Sequence, residues 1–493
     1  MKFSFFSSAA ALSALIATVG VVRGDDVLQI HGSGTTNPSK CIWLIMQDFM
    51  ERTKLPTKFT YRGVGSSTGQ YEFMGTNHTG DFAYVPWNYF GSGDIPFSQE
   101  NYELLNSNGD EFYQMPFVMG AISVFHNIPG VPGGAGGLKL TPCVLAKIFR
   151  TQIQYWDDPE IVLLNDHIAS TLKEKRLPIK VARRVLGSSS TATFTQYLHE
   201  STQMDCPDAW PTATSSGENL VGKVIDWADT TLPCQGSGGV TDCIRDNEGA
   251  IGYIDAGHGR DEGLTEIELR NLAGIYQSSR EAAEAGVAAA AGDTLPSRAD
   301  GDFSGVQLLN QPGEVTWPMV AMSYFYVRKD LSYIDDPAER SLLLEFLGAF
   351  YDPVVIDECR QFGFVPVGAT VNAMAKEALK ELKDSLPADA PEWTYEVDTI
   401  KGGGQEDYVI SSKRRTFAEY ERTSLLQDQM ALMAKVAEME SMMKVDALVS
   451  DDKVVYTQSE ADRITAALAL GSLSIVLWAV AILYLLAKKL CGV

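Results

Sequence analysis

The chain has 493 residues, of which 45% are hydrophobic, and its formal net charge at pH 7 is −23. This length exceeds one ordinary hydrophobic core and predicts a two-lobed body with appended segments. The acidic balance argues against a nucleic-acid-binding protein, which needs a basic face. Any site for an anionic ligand must therefore be built locally.

The N-terminal segment, residues 1–24, has the pattern of a cleavable secretory signal peptide. Lys2 precedes an apolar run over residues 9–22, and Gly24 is a small residue at a possible cleavage position. A retained signal anchor is the alternative, although the apolar run is short for a membrane span. The pattern predicts that the chain from Asp25 to Arg463 lies outside the cytoplasm.

One motif recurs in the α/β sequence that follows: a strand ends in glycine and hydroxyl residues, and a helix begins there. The three copies occupy residues 32–38, 63–69 and 187–191. The first turn of a helix has backbone N–H groups without intrahelical partners and carries partial positive charge. Three such turns directed at one point predict an oxyanion site that depends little on net charge. For a single copy, ordinary helix capping is the alternative explanation.

Two charged side chains accompany these segments. Arg184 lies four residues before the first serine of the 188–190 run, and a guanidinium can bind a tetrahedral oxyanion through two hydrogen bonds. Asp94 follows a short glycine-rich segment; its carboxylate would accept the proton of phosphate and repel sulfate, which carries none. A simple turn residue is the alternative for Asp94. Neighbouring Arg183 is expected to point away on the strand and to form a surface salt bridge.

A Pro- and Gly-rich linker over residues 387–404 precedes a helical stretch at 416–444. Leu425 and Leu432 in this stretch approach heptad spacing, which predicts either a short coiled-coil stalk or a helix that packs on its own domain.

Residues 464–487 carry no charged side chain and have the length of a transmembrane helix. Lys488 and Lys489 follow at once, so the positive-inside rule places the tail 488–493 in the cytoplasm. A glycolipid-anchor signal is the alternative, which these two lysines disfavour. The prediction is a single-pass type I membrane protein with an extracellular or lumenal ligand domain.

Cysteine usage agrees with an exported domain. Six of the seven cysteines lie before the predicted membrane span, an even number in an oxidising compartment: Cys41, Cys143, Cys206, Cys234, Cys243 and Cys359. Asn77 begins a glycosylation sequon, which predicts a glycoprotein.

At these segments the chain resembles the phosphate-binding proteins that feed bacterial phosphate ABC transporters. The matching segments lie in order along the chain at residues 32–38, 61–67, 90–98, 155–158, 183–188 and 249–253. The resemblance implies an α/β fold, a two-lobed periplasmic-binding-protein fold of type II, with phosphate in the cleft, no enzymatic activity and no cofactor. The implied partners are inorganic phosphate, a possible membrane transporter and the membrane itself, with no nucleic acid.

The resemblance also implies a domain order and a ligand set. Lobe 1 would comprise residues 25–118 and 321–386, and lobe 2 residues 119–320, followed by linker and stalk at 387–463. The implied phosphate contacts are Thr36, Asn37, Ser66 and Asp94 from lobe 1, and Arg184, Ser188, Ser189 and Ser190 from lobe 2. Under this division each lobe holds an even number of cysteines, which predicts disulfides within lobes.

The chain departs from the family's pattern at three places, the mildest being Ser189 and Ser190 where the family has a Gly-Thr pair. Asn37 stands where the family usually has an aromatic residue, and Leu186 stands where it commonly has an Asp that steadies the arginine. These changes bear on affinity and selectivity.

Two other functions compete with simple phosphate binding. A secreted phosphatase would need a metal cluster or an activated nucleophile, but the 6 histidines are scattered without metal-ligand spacing. A membrane-anchored receptor or adhesion protein could reuse the same fold. The sequence leaves open whether bound phosphate is taken up, scavenged or sensed.

Overall fold

The structure, a computed structural model, describes residues 27–75, 88–174, 176–288, 295–396, 407–411 and 413–435, the last range without residues 426, 429, 430, 433 and 434. The chain divides into two units, Met1–Arg414 and Arg415–Val493. All strands that the structure describes belong to the first unit.

The strands of the first unit are short except for two. They are β1 (Leu28–Gly34), β2 (Thr57–Gly63), β3 (Phe90–Gly93), β4 (Phe112–His126), β5 (Lys139–Leu140), β6 (Lys180–Arg184), β7 (Leu232–Cys234), β8 (Ala250–Asp255), β9 (Thr265–Glu266), β10 (Glu268–Arg270), β11 (Tyr276–Gln277), β12 (Val320–Arg328), β13 (Val365–Pro366), β14 (Thr394–Glu396) and β15 (Val409–Ser411).

Helices follow most of these strands, as in other α/β proteins. They are α1 (Ser39–Arg52), α2 (Ser66–Met74), α3 (Gln99–Ser107), α4 (Pro142–Phe149), α5 (Pro159–Leu164), α6 (Ala169–Glu174), α7 (Ser189–Thr202), α8 (Gly236–Arg245), α9 (Ala256–Asp261), α10 (Ser279–Ala288), α11 (Pro337–Ala349), α12 (Pro353–Asp357) and α13 (Ala369–Asp384), with 3₁₀ turns at Asp166–Ile168, Pro207–Ala209 and Glu358–Phe362.

The main sheet has the strand order β2-β1-β3-β12-β4-β8-β6-β7. β1 is parallel to β2 and β3, and β6 is parallel to β7 and β8, so each end of the sheet has its own group of parallel strands. We call β1–β3, with helices α1, α2 and α11–α13, lobe 1, and β6–β8, with helices α4 and α7–α9, lobe 2. The predicted two-lobed α/β fold is confirmed.

Strand β4 connects the lobes. All 15 of its residues are buried, and its first part pairs antiparallel with β12 while Ile122 to His126 pair with β8. β12 in turn pairs with β3 in lobe 1. Because one long strand carries the chain from lobe 1 to lobe 2, the carboxyl ends of the two parallel groups are brought to one cleft.

Helices α1, α2 and α7 begin at the three predicted glycine and hydroxyl segments. In α1 the apolar side chains of Ile42, Ile45, Met46 and Phe49 are buried. Their helical spacing places them on one face of α1, which packs into the core of lobe 1. Ser188 caps α7, since its side chain accepts a hydrogen bond from the backbone N–H of Thr191 at 3.4 Å.

Three disulfides join the six predicted cysteines in pairs: Cys41 with Cys359, Cys143 with Cys206, and Cys234 with Cys243. The first joins α1 to the 3₁₀ turn Glu358–Phe362, which packs against that helix in lobe 1. The second joins α4 to the end of the α7 region, and the third joins β7 to α8, both in lobe 2. Each bridge therefore lies within one lobe, as predicted.

Several predicted segments lie outside the described residues: the signal peptide 1–24, the sequon at Asn77, the membrane span 464–487 and the tail 488–493. Among the residues that the structure does describe, no helix has the length and apolar character to cross a membrane. The exact domain boundaries stay predictions. In the second unit residues 417–425 are helical, and the side chains of Leu425 and Leu432 are exposed.

Candidate functional site

Thr36 lies in the turn between β1 and α1 and touches the other lobe. Its Oγ1 is 3.3 Å from the Oγ of Ser237, which lies in the first turn of α8. Sequence analysis missed Ser237, although Gly236, Ser237, Gly238 and Gly239 between β7 and α8 repeat the motif found at the other three helix starts. The cleft is therefore closed over this point.

Asp94 follows β3 and collects hydrogen bonds from its own lobe. Oδ1 accepts from the hydroxyl of Ser323 on β12 at 2.7 Å, and Oδ2 accepts from the side-chain amide of Asn37 at 2.9 Å. The hydroxyl of Thr35 also donates to Oδ2. Asn37, predicted as a phosphate contact, thus has its side chain committed to Asp94.

Asp94 also binds the opposite lobe. The hydroxyl of Ser189, at the start of α7, donates to Oδ2 at 2.8 Å. Within lobe 1, the Asp94 backbone N–H donates to the Oγ of Ser66 at 3.2 Å. Burial raises the pKa of the Asp94 carboxyl, and the hydroxyl donors Thr35, Ser323, Ser189 and Ser66 oppose that rise. Three segments of the sequence motif therefore meet at one buried carboxylate.

Arg184 ends β6 and is 8% exposed. Its Nε has no hydrogen-bond partner among the described residues. Burial lowers the pKa of its guanidinium, whereas Tyr253 and Asp94 act in the opposite direction. The guanidinium is thus near enough to interact electrostatically with the Asp94 carboxylate. Its Nε–H remains available as a hydrogen-bond donor in the protein interior.

Arg183 has the different environment that strand alternation predicts. It is half-buried, and its Nε donates to the hydroxyl of Thr231 at 3.3 Å. No ion pair of Arg183 is found within the described part of the chain, so the expected salt bridge is replaced by this neutral contact. Leu186 is 56% exposed.

Two further hydroxyls at the helix starts lack partners. The Oγ atoms of Ser190 in α7 and Ser67 in α2 are buried and have no hydrogen-bond partner among the described residues. Ser188 uses its backbone N–H to bind the carbonyl of Lys223 at 3.1 Å. Buried polar groups are nearly always hydrogen-bonded, so unpartnered donors beside Arg184 indicate a site for an acceptor-rich ligand.

A second buried acid lies at the carboxyl end of β8. Asp255 caps α9 by accepting from the backbone N–H of His258 at 2.9 Å, and burial raises its carboxyl pKa to about 7. A cavity of about 390 Å³ adjoins Asp94 and is lined by both lobes, including Thr193 and Tyr324. Across the described ranges, no group of three or more His, Cys, Asp or Glu side chains is arranged to hold a metal ion.

Of the eight predicted ligands, four lie in lobe 1 and four in lobe 2. Asn37, Ser66 and Ser189 bond to Asp94, and Thr36 bonds across the cleft to α8. The facing lobe contributes Arg184, Ser188, Ser189 and Ser190, and all four are buried. Thr36, Ser66 and Arg184 therefore do not face separate regions of solvent, and the contact of each with phosphate stays a prediction.

Comparison with known proteins identifies the family. Residues 21–347 match the model of the PBP superfamily domain. The chain belongs to the PBP superfamily.

Two relatives show the extent of the match within the PBP superfamily. Phosphate-binding protein PstS of Haemophilus influenzae is 29% identical over 370 residues, which cover 75% of this chain and 98% of that protein. Phosphate-binding protein PstS of Methanocaldococcus jannaschii is 27% identical over 303 residues, covering 60% and 72% respectively.

Solved structures show the same fold. A high-affinity periplasmic phosphate-binding protein bound with phosphate superposes with a TM-score of 0.51 at 19% identity, covering 71% of this chain and 93% of that one. Phosphate-Binding Protein from Stenotrophomonas maltophilia gives a TM-score of 0.50 at 15% identity over the same shares.

Proposed function

We propose that this chain binds inorganic phosphate in the cleft between its lobes, for uptake, scavenging or sensing. The observation that carries the proposal is that unpartnered hydrogen-bond donors and a carboxylate acceptor are buried at the same place. Arg184 and Ser190 offer donors that have no acceptor within the described ranges, and Asp94 offers a carboxylate. A protonated tetrahedral oxyanion satisfies both, because it accepts several hydrogen bonds and donates one.

The proposed contacts come from both lobes. Arg184, Ser188, Ser189 and Ser190 would bind phosphate oxygens through the guanidinium, the hydroxyls and the first turn of α7. Thr36 and Ser66 would bind from lobe 1. Since Ser189 donates to Asp94 at 2.8 Å in the closed cleft, its hydroxyl would be shared between the carboxylate and the ligand.

Asn37 has a supporting role in this proposal. Its side-chain amide donates to Asp94 Oδ2 at 2.9 Å, which holds the carboxylate in place and favours its ionised form. Its backbone N–H donates to the Thr35 hydroxyl at 3.3 Å. Asn37, which replaces an aromatic side chain in this family's pattern, would thus orient the Asp94 carboxylate that accepts the hydrogen bond of the phosphate O–H.

The proposal is of binding, without catalysis, outside the cytoplasm. Both named relatives are called phosphate-binding proteins. The sequence patterns at residues 1–24 and 464–487 support an exported ligand domain on a single-pass type I anchor. For uptake, a membrane transporter would have to receive the phosphate, because one helix forms no channel.

Isothermal titration calorimetry on the full chain tests the proposal, with phosphate as ligand and sulfate as control. Arg184→Lys should weaken phosphate binding by about 30-fold, since losing a bidentate charged contact costs about 2 kcal/mol. Arg183→Lys is the matched control and should change affinity by less than about 3-fold. Absence of phosphate binding by the unchanged chain, or equal losses in the two variants, would refute the proposal.

A further inference from the structure

Lys223 reaches from lobe 2 into lobe 1. It lies in the loop between α7 and β7, and its Nζ donates to the side-chain carbonyl of Gln70 in α2 at 2.6 Å. Gln70 is one helical turn after Ser66, so both residues lie on the same face of α2. A contact of this length exists only while the two lobes are closed.

Gln70 is held rigidly from its other end. Its amide nitrogen donates to the carbonyls of Ile95 and Pro96 and to the hydroxyl of Tyr326, each at 3.1 Å. These bonds fix the orientation of the amide, so its oxygen points at Lys223. The acceptor for the ammonium is thus preorganised on lobe 1 by the two residues that directly follow Asp94.

The backbone of Lys223 is attached to the proposed phosphate site. Its carbonyl accepts the N–H of Ser188, the cap of α7, at 3.1 Å. Next to it, Gly222 lines the cavity that Asp94 also borders. Lys223 therefore connects the start of α7 in one lobe with the first turns of α2 in the other.

The charge of Lys223 has no counter-ion among the residues that the structure describes. Its described partner is a neutral amide, and no ion pair to its Nζ occurs among the described residues. Burial lowers the pKa of this amine to about 8. Even a half-buried cation is costly unless an opposite charge is near, and the charges of Arg184 and Asp94 already oppose each other.

We propose that Lys223 couples anion binding to lobe closure: its ammonium links the lobes through Gln70, and the bound phosphate supplies the negative charge that makes this closed state stable. The inference rests on the proposed function. It assigns Lys223 a positioning role, in which it holds the cleft shut and so slows phosphate release.

A second cation also crosses the cleft and offers a matched control. Lys40 of α1 pairs with Asp261 of α9 at 3.2 Å, and the two side chains are 36% and 34% exposed. This pair has its own counter-ion and is screened by solvent, so it contributes little to closure.

Stopped-flow kinetics on the full chain, with inorganic phosphate, tests the inference. Lys223→Met should raise the dissociation rate about 10-fold or more and change the association rate less than about 2-fold, because closure follows encounter. Lys223→Arg should retain most of the slow release, and Lys40→Met should alter both rates less than about 2-fold.

Two further readouts separate a closure role from a general loss of structure. If Lys223 acts through Gln70, adding Gln70→Leu to Lys223→Met should give no further increase in dissociation rate. The ratio of the variant's dissociation rate to that of the unchanged chain should also fall as pH rises well above about 8, the pKa of this amine without ligand, because bound phosphate raises that pKa and deprotonation then removes the charge.

Each outcome decides the inference. Normal phosphate release from Lys223→Met, with binding intact in the unchanged chain, overturns the role of Lys223 alone. Absence of phosphate binding in the unchanged chain and in Lys40→Met overturns the proposed function instead. Thermal unfolding without phosphate checks that Lys223→Met is folded. If Lys223→Met does not fold, Lys223→Gln is used instead, and we expect the same increase in its dissociation rate.

Discussion

At the scale of single residues, we expect Asp94 to determine which anion the cleft accepts. A carboxylate has about four lone-pair sites, two on each oxygen. Oδ2 already accepts from Thr35, Asn37 and Ser189, whereas Oδ1 accepts from Ser323 at 2.7 Å. The remaining acceptor capacity lies on Oδ1, so we expect the proton of bound phosphate to be donated there.

Replacing Asp94 with Asn should therefore change selectivity as well as affinity. An amide can donate to an unprotonated oxyanion, which removes the clash of two acceptors that excludes sulfate. We expect phosphate binding to weaken by about 10-fold to 100-fold, and sulfate binding to strengthen relative to phosphate. Competition calorimetry with the two anions measures both effects.

Asp255→Asn is the matched control, because Asp255 is also a buried carboxylate but caps α9 instead of facing the three motif segments. It should leave the ratio of phosphate to sulfate affinity unchanged. An Asp94→Asn variant that still rejects sulfate as strongly as the unchanged chain would contradict the assigned role.

The residues that sequence reasoning found and missed differ in their local context. Asp94 and Arg184 stand beside glycine and hydroxyl runs, so their chemistry could be inferred from neighbours. Ser323 lies in a strand of apolar and aromatic residues, and Lys223 lies in an irregular loop. Nothing local distinguishes either from an ordinary serine or a surface lysine, because their roles arise from segments far apart in sequence.

At the scale of elements, the site depends on how closely helix α2 approaches strand β1. Gly69 makes this approach possible, since a Cβ there would lie 2.4 Å from the Cα of Gly34 and 2.9 Å from the carbonyl oxygen of Ser92. Both neighbours are backbone atoms, which have little freedom to move. The glycine that completes the second motif copy is therefore needed for packing.

Gly69→Ala should destabilise the protein by about 1–3 kcal/mol, the usual cost of overpacking a core. Because the displaced helix carries Ser66, phosphate affinity should fall as well. Urea unfolding and calorimetry measure the two effects. The control is Gly238→Ala in α8, where a Cβ would meet nothing within 4 Å and helix propensity favours alanine by up to about 1 kcal/mol. Equal stability of Gly69→Ala and the unchanged chain would contradict the packing argument.

The fourth helix start illustrates the limit of motif reading. β7 has only three residues, Leu232–Cys234, and contains a proline, so its sequence does not read as a strand. The glycines and Ser237 that follow therefore lack the recognisable strand that precedes the other three helix starts. Tertiary pairing of β7 with β6 makes the segment a strand and directs α8 at the cleft.

At the scale of the whole molecule, the alternation of strands and helices was sufficient to predict the α/β class, because that pattern is set by local periodicity. The two lobes were predicted from the chain length and from the family resemblance. The contacts between lobes were not predictable in the same way. Thr36 with Ser237, and Ser189 with Asp94, bring together residues that are far apart in the chain. They exist only in the closed arrangement, which no local pattern encodes.

The disulfides should separate stability from binding across the molecule. Cys41–Cys359 closes a sequence separation of 318 residues, whereas Cys234–Cys243 closes one of 9. In the chain-entropy model the longer loop stabilises the folded state by about 3 kcal/mol more. The double variant Cys41→Ser/Cys359→Ser should therefore lose about that much more unfolding free energy in urea than Cys234→Ser/Cys243→Ser.

Phosphate affinity should follow the opposite order, since Cys234–Cys243 brackets the turn that carries Ser237. Loosening this turn weakens the Thr36 contact across the cleft, and the loss of one such hydrogen bond corresponds to about 3-fold to 10-fold in affinity. Calorimetry under native conditions should show this loss in Cys234→Ser/Cys243→Ser and in Ser237→Ala, but not in Cys41→Ser/Cys359→Ser. If the bridge between α1 and the Glu358–Phe362 turn controlled affinity instead, the start of α8 would have no part in closing the cleft.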